Sequence, residues 1–160
     1  MAVIDNKDYI NDGSLNIVET FKVYQSDFDL DFDEKNIFNQ DVLFVPATPA
    51  LSVAWSECVM GPQKNMKVGG REYDMENVYQ LIYYQEEFSE NLMFEKMRLN
   101  TERIMNLFSV HSNLDGYIHD RRTFVESAMP GVRLARTNGM FYSAVVIFRI
   151  VKRKYYKFVD

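Results

Sequence analysis

The chain has 160 residues, 47% of them hydrophobic and 14% aromatic, with a formal net charge of −5. That length and apolar content fit one globular domain with a sizeable core and exclude a disordered chain. No apolar run approaches the roughly 20 residues of a membrane span, the acidic and polar start MAVIDNKDYINDG lacks a secretory or transit pattern, and a single cysteine, Cys58, excludes an internal disulfide framework and a multi-thiolate metal site.

Charge is distributed unevenly. Residues 1–50 hold ten acids and three bases, residues 51–100 eight and five, and residues 101–160 five and ten. An acidic and a basic end allow neighbouring copies to associate head to tail. The overall balance is not that of a nucleic-acid binder.

In chain order, residues 1–13 read as an N-terminal arm, and Asp12-Gly13-Ser14 as a helix start with Ser14 as N-cap. Leu15, Val18, Phe21 and Phe28 follow at near-helical spacing, which predicts an amphipathic helix over about 15–26. In DFDLDFDEKN, Asp27, Asp29, Asp31 and Asp33 alternate with Phe28, Leu30 and Phe32. A calcium loop starting at Asp27 would need Gly at Phe32 and Glu at Phe38, so the segment reads instead as extended with one solvated edge. Pro46 and Pro49 set residues 43–50 as extended.

Leu51, Val53 and Trp55 alternate as in a strand, and residues 73–84 form a second, β-favouring run. Between them, Gly61-Pro62 and Gly69-Gly70 predict a long basic hairpin loop over about 58–72, carrying Lys64, Lys67 and Arg71. Residues 86–109 predict a long helix led by Glu86, Glu87 and Glu90, with Phe88, Leu92, Met93, Met97, Ile104, Leu107 and Phe108 on its apolar face. Residues 123–129 read as a strand, and Pro130-Gly131 and Asn138-Gly139 bracket a second basic excursion with Arg133 and Arg136. Residues 140–151 are nearly continuous apolar sequence, which predicts a strand buried on most of both faces. A basic and aromatic tail, 152–160, contains Lys152, Arg153 and Lys154.

The expected fold is α+β: a small, mainly antiparallel sheet with the long helix packed on one face and an N-terminal helix, in a single domain. Its parts are the arm (1–13), the N-terminal helix and acidic extended segment (14–43), the α+β core (44–151) and the basic tail (152–160).

Catalytic signals are weak. The stretch VHSNLDGYIHD holds both histidines, His111 and His119, with Asp115 and Asp120. Eight residues and a turn separate the imidazoles, whereas paired zinc histidines stand closer on one element. His111 falls at the expected helix end, where imidazole suits the last carbonyls, and Asp115-Gly116 suits a turn. A small metal-dependent hydrolase using His111, His119, Asp115 and Asp120 is the enzyme alternative. No nucleophile elbow or phosphate loop is present in the sequence. Another alternative is a single-stranded nucleic-acid binder acting through the tail from Lys152 to Lys157.

The order of elements carries a resemblance. A Pro-Ala run (Phe44-Val45-Pro46-Ala47) leads into a strand ending near Trp55. A Gly-containing loop, a strand ending Leu81-Ile82-Tyr83-Tyr84 and a long helix follow. Then come Asn113-Leu114-Asp115-Gly116-Tyr117, a strand and a final apolar strand, Phe141 to Val151. Over about residues 44–151 this resembles the tail terminator and tail-completion (neck) proteins of tailed bacteriophages. Leu114-Asp115-Gly116 stands where many of them have a Leu-Gly-Gly-type turn, and the acidic segment before residue 44 is an addition to the pattern. The resemblance implies a structural virion protein of the tail or neck, made in the host cytoplasm, without catalysis or cofactor. It implies a ring, expected to be a hexamer, that caps the tail tube and joins it to the head through head-to-tail subunit contacts. The expected partners are further copies of the chain, the tail tube protein and the head-closure or neck protein, with a sheath as a further candidate and no membrane. DNA would pass through the lumen without specific binding. The expected partner contacts are Lys64, Lys67, Arg71, Arg133, Arg136, Lys152, Arg153 and Lys154.

Overall fold

A computed structural model describes residues 8–40, 42, 45, 47–67, 70–118, 122–130, 134–136 and 139–157. Helix α1 spans Tyr9–Tyr24, short 3-10 turns cover Gln25–Phe28 and Glu34–Asn36, and strand β1 is Ile37–Phe38. Strands β2 (Ala50–Lys67) and β3 (Gly70–Glu87) precede helix α2 (Glu90–Val110), and strands β4 (Phe124–Pro130), β5 (Leu134–Arg136) and β6 (Gly139–Lys157) close the fold. The sheet order is β1-β2-β3-β6-β4, with β5 also on β6. Every pairing is antiparallel except β1 with β2. The expected α+β class is the observed one.

Both helices contribute to one core on one face of the sheet. Ile17, Val18 and Phe21 of α1 and Met93, Met97, Ile104, Leu107 and Phe108 of α2 bury against Leu51, Val53, Tyr79, Leu81, Tyr83, Val146, Phe148 and Ile150. Aromatic rings tie the layers together: Phe21 meets Phe32 edge-on at 5.1 Å, and Phe108 meets Phe148 at 5.4 Å.

Several expected boundaries move, each for a physical reason. Helix α1 begins at Tyr9, not near Leu15, because Asp8 caps it by accepting from Asn11 N at 3.0 Å. Residues 8–13 therefore belong to the helix rather than to an arm, and residues 1–7 lie outside the described set. Ser14 does not cap the helix; its hydroxyl donates to Asn39 O at 2.6 Å. The acidic segment is two 3-10 turns joined by a short link rather than an extended strand, yet the alternation holds: Leu30 and Phe32 are buried, and Asp27, Asp29, Asp31 and Asp33 are exposed. Of residues 43–50, three lie outside the described set; residues 47–49 bend, and the Thr48–Pro49 peptide is cis.

The expected loop over 58–72 is strand. Strand β2 pairs with β3 from Ala50↔Tyr84 to Lys67↔Gly70, so the excursion is a continuous hairpin. Strand β3 also runs on to Glu87, which moves Glu86 and Glu87 out of the helix; Ser89 caps α2 and Phe88 is exposed. Of the expected tail, Lys152–Lys157 likewise belongs to β6, paired with β3 as far as Gly70↔Lys157, and residues 158–160 lie outside the described set. Along β6, Ala144, Val146, Phe148 and Ile150 are buried on the helix side, while on the other face Val145, Ile147 and Arg149 are half-buried and Val151 is buried, so the helix-side face is the more fully sealed. Within 130–139, Leu134–Arg136 pairs with β6 as β5, so part of that excursion is strand as well.

Candidate interaction surface

Pairing of β3 with β6 brings together basic residues that are far apart in sequence. The main core cluster on these strands ends at Ile150, opposite Asn77, and beyond that pair Met75 and Val151 are still buried. Past Asn77 β3 continues seven residues to Gly70, with β6 on one side and β2 on the other. At about 3.3 Å per residue, this three-stranded arm reaches about 23 Å past the core. Residues 63–73 and 152–157 contain seven bases and one acid, Glu72. The strand pairing thus brings Arg71 of the 58–72 stretch and Lys152, Arg153 and Lys154 of the tail onto one arm.

Strand pleating sorts these side chains between two faces. On the face away from the helices, Asp74 pairs opposite Arg153, is 2% exposed, and accepts from Arg122 Nη1 at 2.6 Å. Its other oxygen lies 3.9 Å from Arg153 Nε. On the same face Arg149 joins Glu76 at 2.9 Å and Glu126 at 3.1 Å. Burial by itself would lower the pKa of this guanidinium, but the Glu126 and Glu76 carboxylates together outweigh it and hold the group charged, above its ordinary value.

The helix-side face carries a different chemistry. Lys152 Nζ donates to Tyr117 O at 3.0 Å and stands 4.0 Å from the Tyr117 ring centre. Lys154 Nζ lies 5.6 Å from the Tyr9 ring and 5.3 Å from the Tyr156 ring. The Tyr73 and Tyr156 rings meet edge-on at 5.8 Å. Arg71, at the tip, is exposed and pairs with Tyr156 in register.

The remaining candidates divide. The backbones of Lys64 and Lys67 lie in β2 and that of Arg136 in β5, while their side chains and all of Arg133 lie outside the described set. His111 is the C-cap of α2, its N–H donating to Leu107 O; its ring stacks on Tyr24 at 3.8 Å and meets Phe28 edge-on at 5.9 Å. Asp115, in a left-handed turn, accepts from Tyr24 Oη at 3.0 Å. That hydrogen bond is the main reason the Tyr24 phenol is shifted above its ordinary pKa. His119 and Asp120 lie outside the described residues. Among the described residues no three His, Cys, Asp or Glu side chains group as a metal site.

Sequence reasoning missed one surface altogether. An apolar groove of about 390 Å³ lies toward the opposite end of the sheet from the arm tip, between the middle of α2 and strands β4 and β6. Phe94, Met97, Met105, Met129 and Tyr142 line it, with Arg98 and Glu102 alongside. Phe94 and Met129 are each about half exposed. The available signal was the apolar residue Phe94 on the side of α2 away from the core stripe. Arg122 and Arg149 were missed as well, since their partners come from other strands.

No protein-family model matches the chain, and the search of curated proteins finds no significant match.

Proposed function

We propose that the protein is a structural subunit of a closed ring at a phage tail or neck, assembled by head-to-tail contacts without catalysis. The observation that supports this reading is the inequality of the molecule's two ends. A narrow three-stranded arm leaves the core at one end, and an apolar groove opens toward the other. Contacts between unlike surfaces are heterologous, and such contacts give rings when the rotation closes and filaments when it does not. The arm adds little to the monomer's main core, since beyond Ile150 the buried apolar residues of β3 and β6 among the described residues are Met75 and Val151. The groove is lined by side chains of the apolar kind that line subunit interfaces.

The test is the assembly state. Sedimentation and electron micrographs of the purified chain, alone and with tail tube, should show open-centred rings of about six subunits. A species that stays monomeric at every concentration and in assembled particles overturns the reading.

A further inference from the structure

We propose that the helix-side face of the arm is a binding surface for a nucleic-acid phosphodiester backbone, contacted without regard to base sequence. The proposal goes beyond the ring reading and stands without it.

The first ground is the sorting of charge across the arm. Asp74 and Glu76 lie on the face away from the helices, engaged by Arg122, Arg153 and Arg149. The pleat puts Glu72 on that face too, in register with Tyr155. The helix-side positions of the two inner strands are Arg71, Tyr73 and Met75 on β3, and Lys152, Lys154 and Tyr156 on β6. None of these is an acid; among the described residues, Asp8 and Asp12 stand at the start of α1, the helix whose Tyr9 ring meets Lys154. The second ground is how Lys154 is held. A carboxylate partner cancels a cation's field, whereas an aromatic ring positions the cation and leaves its net charge in place. Lys154 sits between the rings of Tyr9 and Tyr156 and keeps its charge available to an anion. The third ground is the aromatic lining. Tyr156 is 41% exposed beside Tyr73, which is the base-plus-aromatic composition of sequence-tolerant nucleic-acid surfaces. The exposed acids between Asp27 and Glu34 make a second copy of this chain the competing occupant, but carboxylates would leave the rings unused.

The experiment titrates the full chain against labelled random-sequence oligonucleotides, single-stranded in one arm and duplex in the other, over a range of salt. Binding should weaken with salt, with a log–log slope of about −2 to −3 per subunit for roughly three phosphate contacts. R71A/K154A should lower affinity at least tenfold and reduce the slope by about 2, uniformly across sequences. Arg153→Ala, on the opposite face, should change binding less than twofold. Oligonucleotide should also protect Lys152 and Lys154 of the unaltered protein from acetylation, a readout that survives if the double variant fails to fold. Absence of binding at low salt, equal binding by R71A/K154A, or no protection overturns the proposal. So does an arm whose charge reversal abolishes assembly while the unaltered chain binds no oligonucleotide, which assigns the face to a second copy. In each of these cases rings of the unaltered protein would leave the ring reading intact.

Discussion

Gly13 lies inside α1, where glycine is ordinarily about 1 kcal/mol worse than alanine. Tyr79 explains its presence. That side chain is fully buried, and its hydroxyl donates to Ile10 O at 2.6 Å, reaching the helix backbone through the space beside Gly13. A Cβ on Gly13 would fall within the van der Waals surface of Tyr79 Oη and 2.9 Å from Cζ. Gly13→Ala therefore gains the helical preference and forces the phenol away. Losing the hydroxyl's bond in a buried place costs about 1–3 kcal/mol, and overpacking costs about 1–3 kcal/mol more. The net expectation is a destabilisation of roughly 1–5 kcal/mol. In a Tyr79→Phe background the worst contact disappears while the tight one at Cζ stays, so part of the cost of alanine should vanish. Urea melts of the two single variants and the double should give a coupling of about 1 kcal/mol or more. A Gly13→Ala protein that is more stable, or a cycle with no coupling, would refute the close-approach account.

Stability should fall at alkaline pH. Burial pushes the Tyr83 and Tyr117 phenols up to about 12, above the ordinary value near 10. A phenol kept neutral by the fold contributes fully below about pH 10 and loses that contribution as pH rises through about 12. Tyr83 alone amounts to about 3 kcal/mol at the upper end, so Tyr83→Phe should flatten the alkaline limb of stability by chemical denaturation; an unchanged limb counts against it. Arg122→Ala strips the nearest cation from the buried Asp74, leaving Arg153 at 3.9 Å. The expected cost is about 3 kcal/mol, partly recovered by adding Asp74→Asn, and a cost under about 0.5 kcal/mol would mark the pair as an ordinary surface pair. Met129→Asp charges the apolar groove and should leave the melting temperature within a few degrees while abolishing rings in sedimentation; intact rings would remove the groove from the interface.

Periodicity made the long helix and the sheet class legible: of the expected apolar face Met93, Met97, Ile104, Leu107 and Phe108 are buried, whereas Phe88 precedes the helix and Leu92, in its first turn, is exposed. Turn residues misled where tertiary geometry used them differently. Gly61-Pro62 reads as a break, yet it lies in β2 at a register shift between Met60 and Gln63. An irregular edge position tolerates proline's missing N–H, and a Cβ on Gly61 would press on Asp74 O at 3.3 Å. Asp12-Gly13 misled in the same way, because the signal for a helix start and the requirement of Tyr79 for space look alike in one dimension. On β6, Val145 and Ile147 are apolar but only half-buried, so the run looked sealed on both sides when helices cover one. The arm surface was legible residue by residue and not as a site. Arg71 and Lys154 are 83 positions apart, and only the β3–β6 register joins them.

The arm's bases have a second physical role to be separated from binding, and the sign of the charge separates them. A ribbon with open edges is a template for unwanted strand addition. Strand β2 answers this with three register shifts along its length and Pro62. Strand β6 beyond Arg149 shows no shift against β3, and β4 pairs with it no further than Phe124↔Arg149 among the described residues. The consecutive bases Lys152, Arg153 and Lys154 can protect that edge, and such protection works with charge of either sign, since it relies on hydration and repulsion. A phosphate surface works with positive charge alone. Lys152→Glu together with Lys154→Glu should therefore stay soluble and folded yet lose oligonucleotide binding, whereas the corresponding Val pair should aggregate through β6. If the Glu pair binds oligonucleotide as the unaltered chain does, edge protection is the whole purpose of those lysines. If the Val pair stays soluble at high concentration, edge protection is no part of it.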